Sequence, residues 1–283
     1  KEYKKISGLT ICVICGLFGI SRQKYYRSTW SRQKSQEQAT KVVEKVHEVR
    51  REMSRIGTRK LHHMLENDLT PMHIGRDKLF TILRANHMLI KPLRSYQVTT
   101  NSHHRFRMHK NIIENLTINR PEQVWAADIT YIGSRDNHLY LALITDVYSK
   151  KIVGYNLSQS LDTSGAIQAL RMAKTNRVYP NAKLIHHSDR GIQYCSDAYQ
   201  KKLKEYGIKV SMTENYDPYA NAVAERVNGI LKQEFLLETF NLPVKDMKRV
   251  VKDAICIYNE TRPHSSCKYL TPVEMHSQHV VEI

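Results

Sequence analysis

The alternation of apolar and polar positions in this chain changes period near residue 120. Before that point apolar residues recur at helical spacing. Residues 9–27, LTICVICGLFGISRQKYYR, open with an apolar helical run to Phe18 and turn at Gly19-Ile20. Ser21, a good N-cap, then starts a short basic helix. Helix, glycine turn and basic helix is the form of a helix-turn-helix, and also of an ordinary helical hairpin. Residues 31–53 read as a polar linker helix with Val42, Val43, Val46 and Val49 along one stripe. A second two-helix unit follows over 55–94. Thr58 caps a helix with Leu61 and Leu65 on one face, and after Thr70-Pro71-Met72 another carries Ile74, Leu79, Ile82 and Leu83. Residues 95–117 have no clear period and are rich in Arg and His, which predicts a basic linker.

Beyond residue 120 the pattern becomes that of strands. Val124–Ile132, Leu139–Thr145 and Lys151–Leu157 predict three strands, the last two joined by a turn at 146–150. Thr163–Lys174 predicts an amphipathic helix, Leu184–His187 a short buried strand, Ser196–Tyr206 a helix and Ile208–Met212 a fifth strand. A long helix over Asn221–Leu237 and another from Val244 to about Tyr258 complete the set. An antiparallel meander followed by alternating helix and strand resembles the order of a ribonuclease-H-like α/β fold. The expected class is a mixed five-stranded sheet with flanking helices, preceded by a basic all-α region. The expected divisions are 1–30, 31–54, 55–94, 95–117 and 118–283.

Charge separates the same two halves. The net charge is +17, and residues 1–110 hold 23 Lys and Arg against 8 Asp and Glu. Residues 111–283 hold 21 against 19. A basic module on a nearly neutral one points to a polyanionic partner. The five cysteines, Cys12, Cys15, Cys195, Cys256 and Cys267, are scattered and odd in number, which argues against a disulfide framework. Cys12 and Cys15 sit beside histidine-rich sequence, but they fall on an apolar helical stretch where buried core is favoured over zinc. No apolar run approaches membrane-spanning length. The expected setting is the cytoplasm, close to DNA. The chain opens on Lys1 rather than methionine, and a further upstream segment is expected.

Three acids carry the candidate chemistry. Asp128 stands inside the first strand, a costly place for an unpaired carboxylate. Asp189 follows the short strand in HHSDRGIQY, and Glu225 lies on the long helix in NAVAERVNGILK, with 35 residues between the two. Carboxylates from three separate elements can hold two divalent cations, and hard oxygen ligands suit Mg²⁺, with Mn²⁺ as a substitute. Two ions roughly 3.5–4 Å apart clamp the attacking and leaving oxygens of an in-line phosphoryl displacement. Singly, each acid could be a strand-edge group, a turn cap or a solvated helical residue. Asp146 reads as a turn residue, and His186 and His187 as buried strand-end histidines.

The segments VWAADITYI (124–132), DVYSKKIVGY (146–155), HHSDRGIQY (186–194), NAVAERVNGILKQE (221–234) and YNETRPHSSCKYLTP (258–272) resemble the catalytic core of the DDE transposase and retroviral integrase superfamily. More narrowly, they resemble the B reading frame of bacterial insertion-sequence transposases of the IS-three type. The resemblance implies that Asp128, Asp189 and Glu225 are the metal-binding acids, with two ions per site. It also implies that Lys232, on the face of Glu225 nearly two turns on, reaches DNA. Asn228 and Asn221 share that face. It further implies cleavage at element ends, strand transfer, recognition of terminal inverted repeats and target DNA, and a homo-oligomer on two DNA ends in a nucleoid-associated setting. The basic region supplies Arg22, Lys24, Arg27, Arg59, Lys60, Arg76 and Lys78 as expected DNA contacts. A DNA-binding regulator with an inactive core and a ribonuclease-H-like nuclease are the alternatives. The loop Tyr216–Asn221 departs from the compact Asp-Asn approach usual in the family.

Overall fold

The computed structural model describes residues 10–91, 109–134, 138–213 and 222–278. Its N-terminal part is helical: α1 (Ile11–Leu17), α2 (Arg22–Glu52), α3 (Thr58–Met64), α4 (Glu66–Leu69) and α5 (Arg76–Ala85). The strands β1 (Val124–Ile132), β2 (Leu139–Asp146) and β3 (Ile152–Ser158) follow, then α6 (Thr163–Thr175) and β4 (Ile185–Ser188). After these come α7 (Ile192–Cys195), α8 (Asp197–Glu205), β5 (Lys209–Met212), α9 (Ala222–Gln233), α10 (Val244–Glu260) and α11 (Pro272–Ser277).

The expected break between a recognition helix and a linker helix at residue 30 does not occur. α2 runs unbroken for 31 residues, about 46 Å at 1.5 Å per residue. Ser21 Oγ caps it by accepting from Lys24 N–H, and no glycine or proline interrupts it before residue 53. Its valine stripe meets the core only from Val42 and Val46 onward. Upstream of that, Tyr26 and Trp30 are exposed, as are Val13, Leu17 and Phe18 of the α1 hairpin. Cys15 of α1 is buried, whereas Cys12, expected in the core with it, is exposed.

The sheet has five strands in the order β3-β2-β1-β4-β5. β1, β2 and β3 form an antiparallel meander, and β4 and β5 add in parallel beside β1. Period-two alternation divides its core between two faces. Trp125, Ala127, Ala142, Ile144 and Val153 pack under α6 and α8. Ile132, Leu139, Leu141 and Leu143 pack under α9 and α10. That second apolar cluster continues without interruption into Val42, Met53, Ile56, Leu61 and Leu83 of the helical part. Gly154 allows α6 to lie close on β3, since a Cβ there would stand 2.2 Å from the Ala169 carbonyl oxygen. Among the described residues no helix is long and apolar enough to cross a membrane.

Candidate active site

Strand register brings two of the three acids together. β4 runs parallel to β1 with Ser188 opposite Ala127, which places Asp189, the next residue, beside Asp128. The third acid arrives on a helix. α9 buries Ala224, Val227, Asn228 and Leu231 against the sheet and carries Glu225 in its first turn, exposed to solvent. Asn228, one turn after Glu225, ties the helix to the strand: its amide donates to Asp128 Oδ2 at 2.6 Å. Asp128 Oδ1 accepts from the Ile129 N–H at 2.8 Å, and Asp189 Oδ1 accepts from the Gly191 N–H at 3.0 Å.

The electrostatics are those of crowded carboxylates. Burial raises the Asp128 carboxyl and Asp189 and Glu225 push it further, to about 7, against the opposing pull of the Ile129 and Asn228 hydrogen bonds. Burial and Asp189 also raise Glu225. Lys232 lies far enough along α9 to feel the Asp128 charge, although burial lowers its own pKa. Tyr194 of α7 stands behind Asp128 and Asp189. Its buried hydroxyl and the buried Asn228 Oδ1 have no hydrogen-bond partner among the described residues.

The expected DNA-contact residues divide into three groups. Arg22, Lys24 and Arg27 are exposed at the start of α2, and Arg59, Arg76 and Lys78 are exposed on the second helical unit. Two expectations are corrected. Asn228 is buried at 5% exposure and holds Asp128, facing the carboxylate rather than solvent. The Lys60 ammonium is committed to Glu234 at 2.8 Å, and Arg262 adds two hydrogen bonds of 2.8 Å to the same carboxylate. This three-way ion pair fastens the helical unit to the end of α9. Asn221 lies outside the described residues.

Just before the start of β1 is a second acidic cluster that the sequence did not suggest. Glu122 accepts from Arg177 Nε at 2.9 Å and from the backbone of Val178 and Tyr179. Asp146 accepts from the Glu122 N–H, the Ser149 N–H and the Ser149 hydroxyl at 2.7–2.8 Å, which is the turn role expected of it. His276 of α11 bonds the Ser149 hydroxyl through Nδ1 at 2.9 Å and brings Nε2 to 3.7 Å from Glu122. His186 and His187 are buried, as expected, against Tyr199 and Ser211.

Comparison with known proteins agrees with this architecture. Residues 118–218 and 206–272 each match a family described as Integrase core domain. Over 267 residues the chain is 34% identical to the Insertion element IS600 uncharacterized 31 kDa protein of Shigella sonnei, covering 92% of this chain and 96% of that protein. It is 28% identical over 281 residues to Transposase InsF for insertion sequence IS3A of Escherichia coli K12, covering 96% and 95%. Among solved structures it is similar to a simian T-cell lymphotropic virus intasome in complex with PP2A regulatory subunit B56 gamma. There the identity is 20% and the TM-score 0.50, over 80% of this chain and 77% of that one, a likeness of fold.

Proposed function

This chain belongs to the IS3-type insertion-sequence transposases, enzymes that cut and join DNA with a ribonuclease-H-like integrase core, and we propose that Asp128, Asp189 and Glu225 are its catalytic acids. One observation carries the assignment. Three elements bring carboxylates close enough that burial and mutual repulsion hold Asp128 up at about 7, outweighing the Ile129 and Asn228 hydrogen bonds that favour its ionised form. A stable fold gains nothing from that arrangement, and a divalent cation would relieve it.

The residues present fit such an ion. The donors are hard carboxylate oxygens, and the unpartnered Tyr194 hydroxyl and Asn228 Oδ1 leave polar capacity for a hydration shell. Among the described residues no three His, Cys, Asp or Glu side chains close into a cage. Mg²⁺ is ordinarily held by one or two carboxylates with waters and substrate phosphate completing the shell. Two ions bound here, Mg²⁺ or Mn²⁺, would supply activation of the attacking water or 3′-hydroxyl and stabilise the leaving oxygen. The chain's own groups do the positioning. Asn228 fixes the Asp128 rotamer, the Gly191 N–H fixes Asp189, and Lys232 reaches a phosphate beside the acids.

The substrate of this reading is double-stranded DNA, at terminal inverted repeats and then at a target, handled by a homo-oligomer that holds two ends. Arg22, Lys24 and Arg27 at the exposed start of α2 are the sequence-reading candidates, and the second helical unit adds backbone contacts. The test is cleavage and strand transfer on a duplex carrying the element end. Asp128→Asn, Asp189→Asn and Glu225→Gln should each remove both activities and leave binding in EDTA intact. Near-normal joining by any of the three would reject the assignment.

A further inference from the structure

At the seam between the helical part and the catalytic core lies a cavity of about 380 Å³, lined by Arg59, His62, His63, Glu66, Arg76 and Tyr269. The first five come from α3 to α5, and Tyr269 comes from the loop after α10. Two features separate it from ordinary surface relief. Its cations have little to hold them: Arg59 has no hydrogen bond or ion pair among the described residues, and Arg76 is paired only with the exposed side chain of its neighbour Asp77 at 3.0 Å. Its far wall is held by backbone that side chains seldom adopt. Lys268 and Tyr269 both have left-handed φ, at 54° and 66°. The Tyr269 N–H donates to the His264 carbonyl oxygen at 3.0 Å, and its ring lies 4.9 Å from His63, tilted by 31°.

The cavity is fixed to the catalytic helix. Lys60, adjacent to Arg59, is clamped to Glu234, and Glu234 is nine residues beyond Glu225. Nine residues of helix are about 13 Å. A group held in the cavity is thereby held on the helical unit that is fastened to the helix carrying Glu225.

We propose that this cavity binds one DNA backbone phosphodiester near the bond that is cut. The proposal rests on the transposase reading above and gives it a specific anchor. Two guanidiniums outnumber the single carboxylate of the lining, Glu66, the imidazoles of His62 and His63 add polar nitrogens, and the guanidinium fork matches phosphate oxygens. A phosphate bound here contacts both the helical unit and the core loop, which makes the seam part of substrate alignment.

The experiment uses the full chain and an element-end duplex, with binding measured in EDTA over a salt series. Working without metal separates its outcome from that of the triad. Arg59→Ala and Arg76→Ala should each weaken binding about tenfold and lower the slope of log affinity against log salt by about one. Tyr269→Ala should weaken binding with the slope unchanged, since no charge is lost. Arg171→Ala, on the exposed side of α6, is the charge-loss control. Duplexes with one neutral methylphosphonate, moved along each strand, should reveal a position that costs the parent protein affinity but costs Arg59→Ala nothing further. Arg59 and Arg76 variants that behave like the Arg171 control would overturn the proposal. So would the absence of any such position, or inorganic phosphate binding as well as the duplex does.

Discussion

β1 carries two acidic clusters of opposite character, one around Glu122 just before its first residue and one around Asp128 at its middle. Burial opposes ionisation at both. At Glu122 the His276 imidazole 3.7 Å away, the Arg177 ion pair and two backbone amides outweigh burial and hold the carboxyl at about 2. At Asp128 the neighbours are further acids, and the carboxyl rises to about 7. One cluster is thus satisfied by cationic and amide partners, and in the other acid repels acid. The first joins β1, the turn after β2 and α11. The second is unfavourable for the protein alone, as a site awaiting cationic ligands and a phosphate should be.

Charge-removing substitutions break this symmetry most strongly. Asp128→Asn should lower cleavage by a factor of about a thousand or more, since a lost metal ligand forfeits several kcal/mol of charge stabilisation. Its thermal midpoint should stay level or rise, because repulsion from Asp189 and Glu225 is relieved. Glu122→Gln should do the reverse. Removing one partner of a buried pair leaves Arg177, 5% exposed, without its counter-charge, at about 3 kcal/mol of stability. Its cleavage per folded molecule should be unchanged. Denaturant melts alongside single-turnover cleavage would test both. A destabilised Asp128→Asn, or a Glu122→Gln as stable as the parent, would erase the distinction.

The three acids proposed as catalytic were legible in the sequence, and the cluster around Glu122 was not. Strand patterning placed β1 and β2 closely, and the apolar step before Asp189 marked the end of β4. Asp128 drew notice because it interrupts an apolar run. Glu122 and Asp146 interrupt nothing, and their partners Arg177 and His276 are distant in the chain, brought close only by packing. Asn228 was placed on the correct helical face and given the wrong neighbour, since an i+3 spacing does not say whether the face meets solvent or sheet. Lys60 was counted with the free cations because its partner Glu234 is 174 positions away. The continuous α2 was missed because a helix-turn-helix pattern suggested a short second helix where no stop signal exists.

A pH series would sharpen the contrast without mutation. The folded pKa of Glu122 is about 2 against an ordinary 4.5. Its contribution is therefore complete above pH 4.5 and lost as pH falls towards 2, amounting to about 3 kcal/mol. His276 acts in the opposite sense. Burial lowers its pKa, but Asp146 and Glu122 raise it further, and the net shift is upward. Its contribution is present below pH 6.5 and fades as pH rises through the folded value. Stability of Glu122→Gln should be flatter than that of the parent between pH 4.5 and 2.5. Parallel curves for the two proteins would show that Glu122 does not control the acid limb.

The smallest effect belongs to Asn228, the residue that links strand and helix at Asp128. Its amide favours the ionised form of Asp128 and fixes the orientation of that carboxylate. Asn228→Ala removes the donor while leaving all three acids and their helix in place. The carboxylate then both ionises less readily and rotates more freely, so cations should bind more weakly. Groups that orient metal ligands typically contribute about 10- to 100-fold in metal affinity. The variant should need that much more Mg²⁺ for half-maximal cleavage and recover most of its rate at saturation. Asn228→Asp is the sharper companion. It keeps the size of the side chain but replaces the donor with a fourth acid, raising Asp128 further in the absence of metal. High metal should rescue it less completely than the alanine variant, because the amide donor has become a repelling charge. If both variants follow the parental metal curve, Asn228 is a packing residue and Asp128 is oriented by the Ile129 N–H alone.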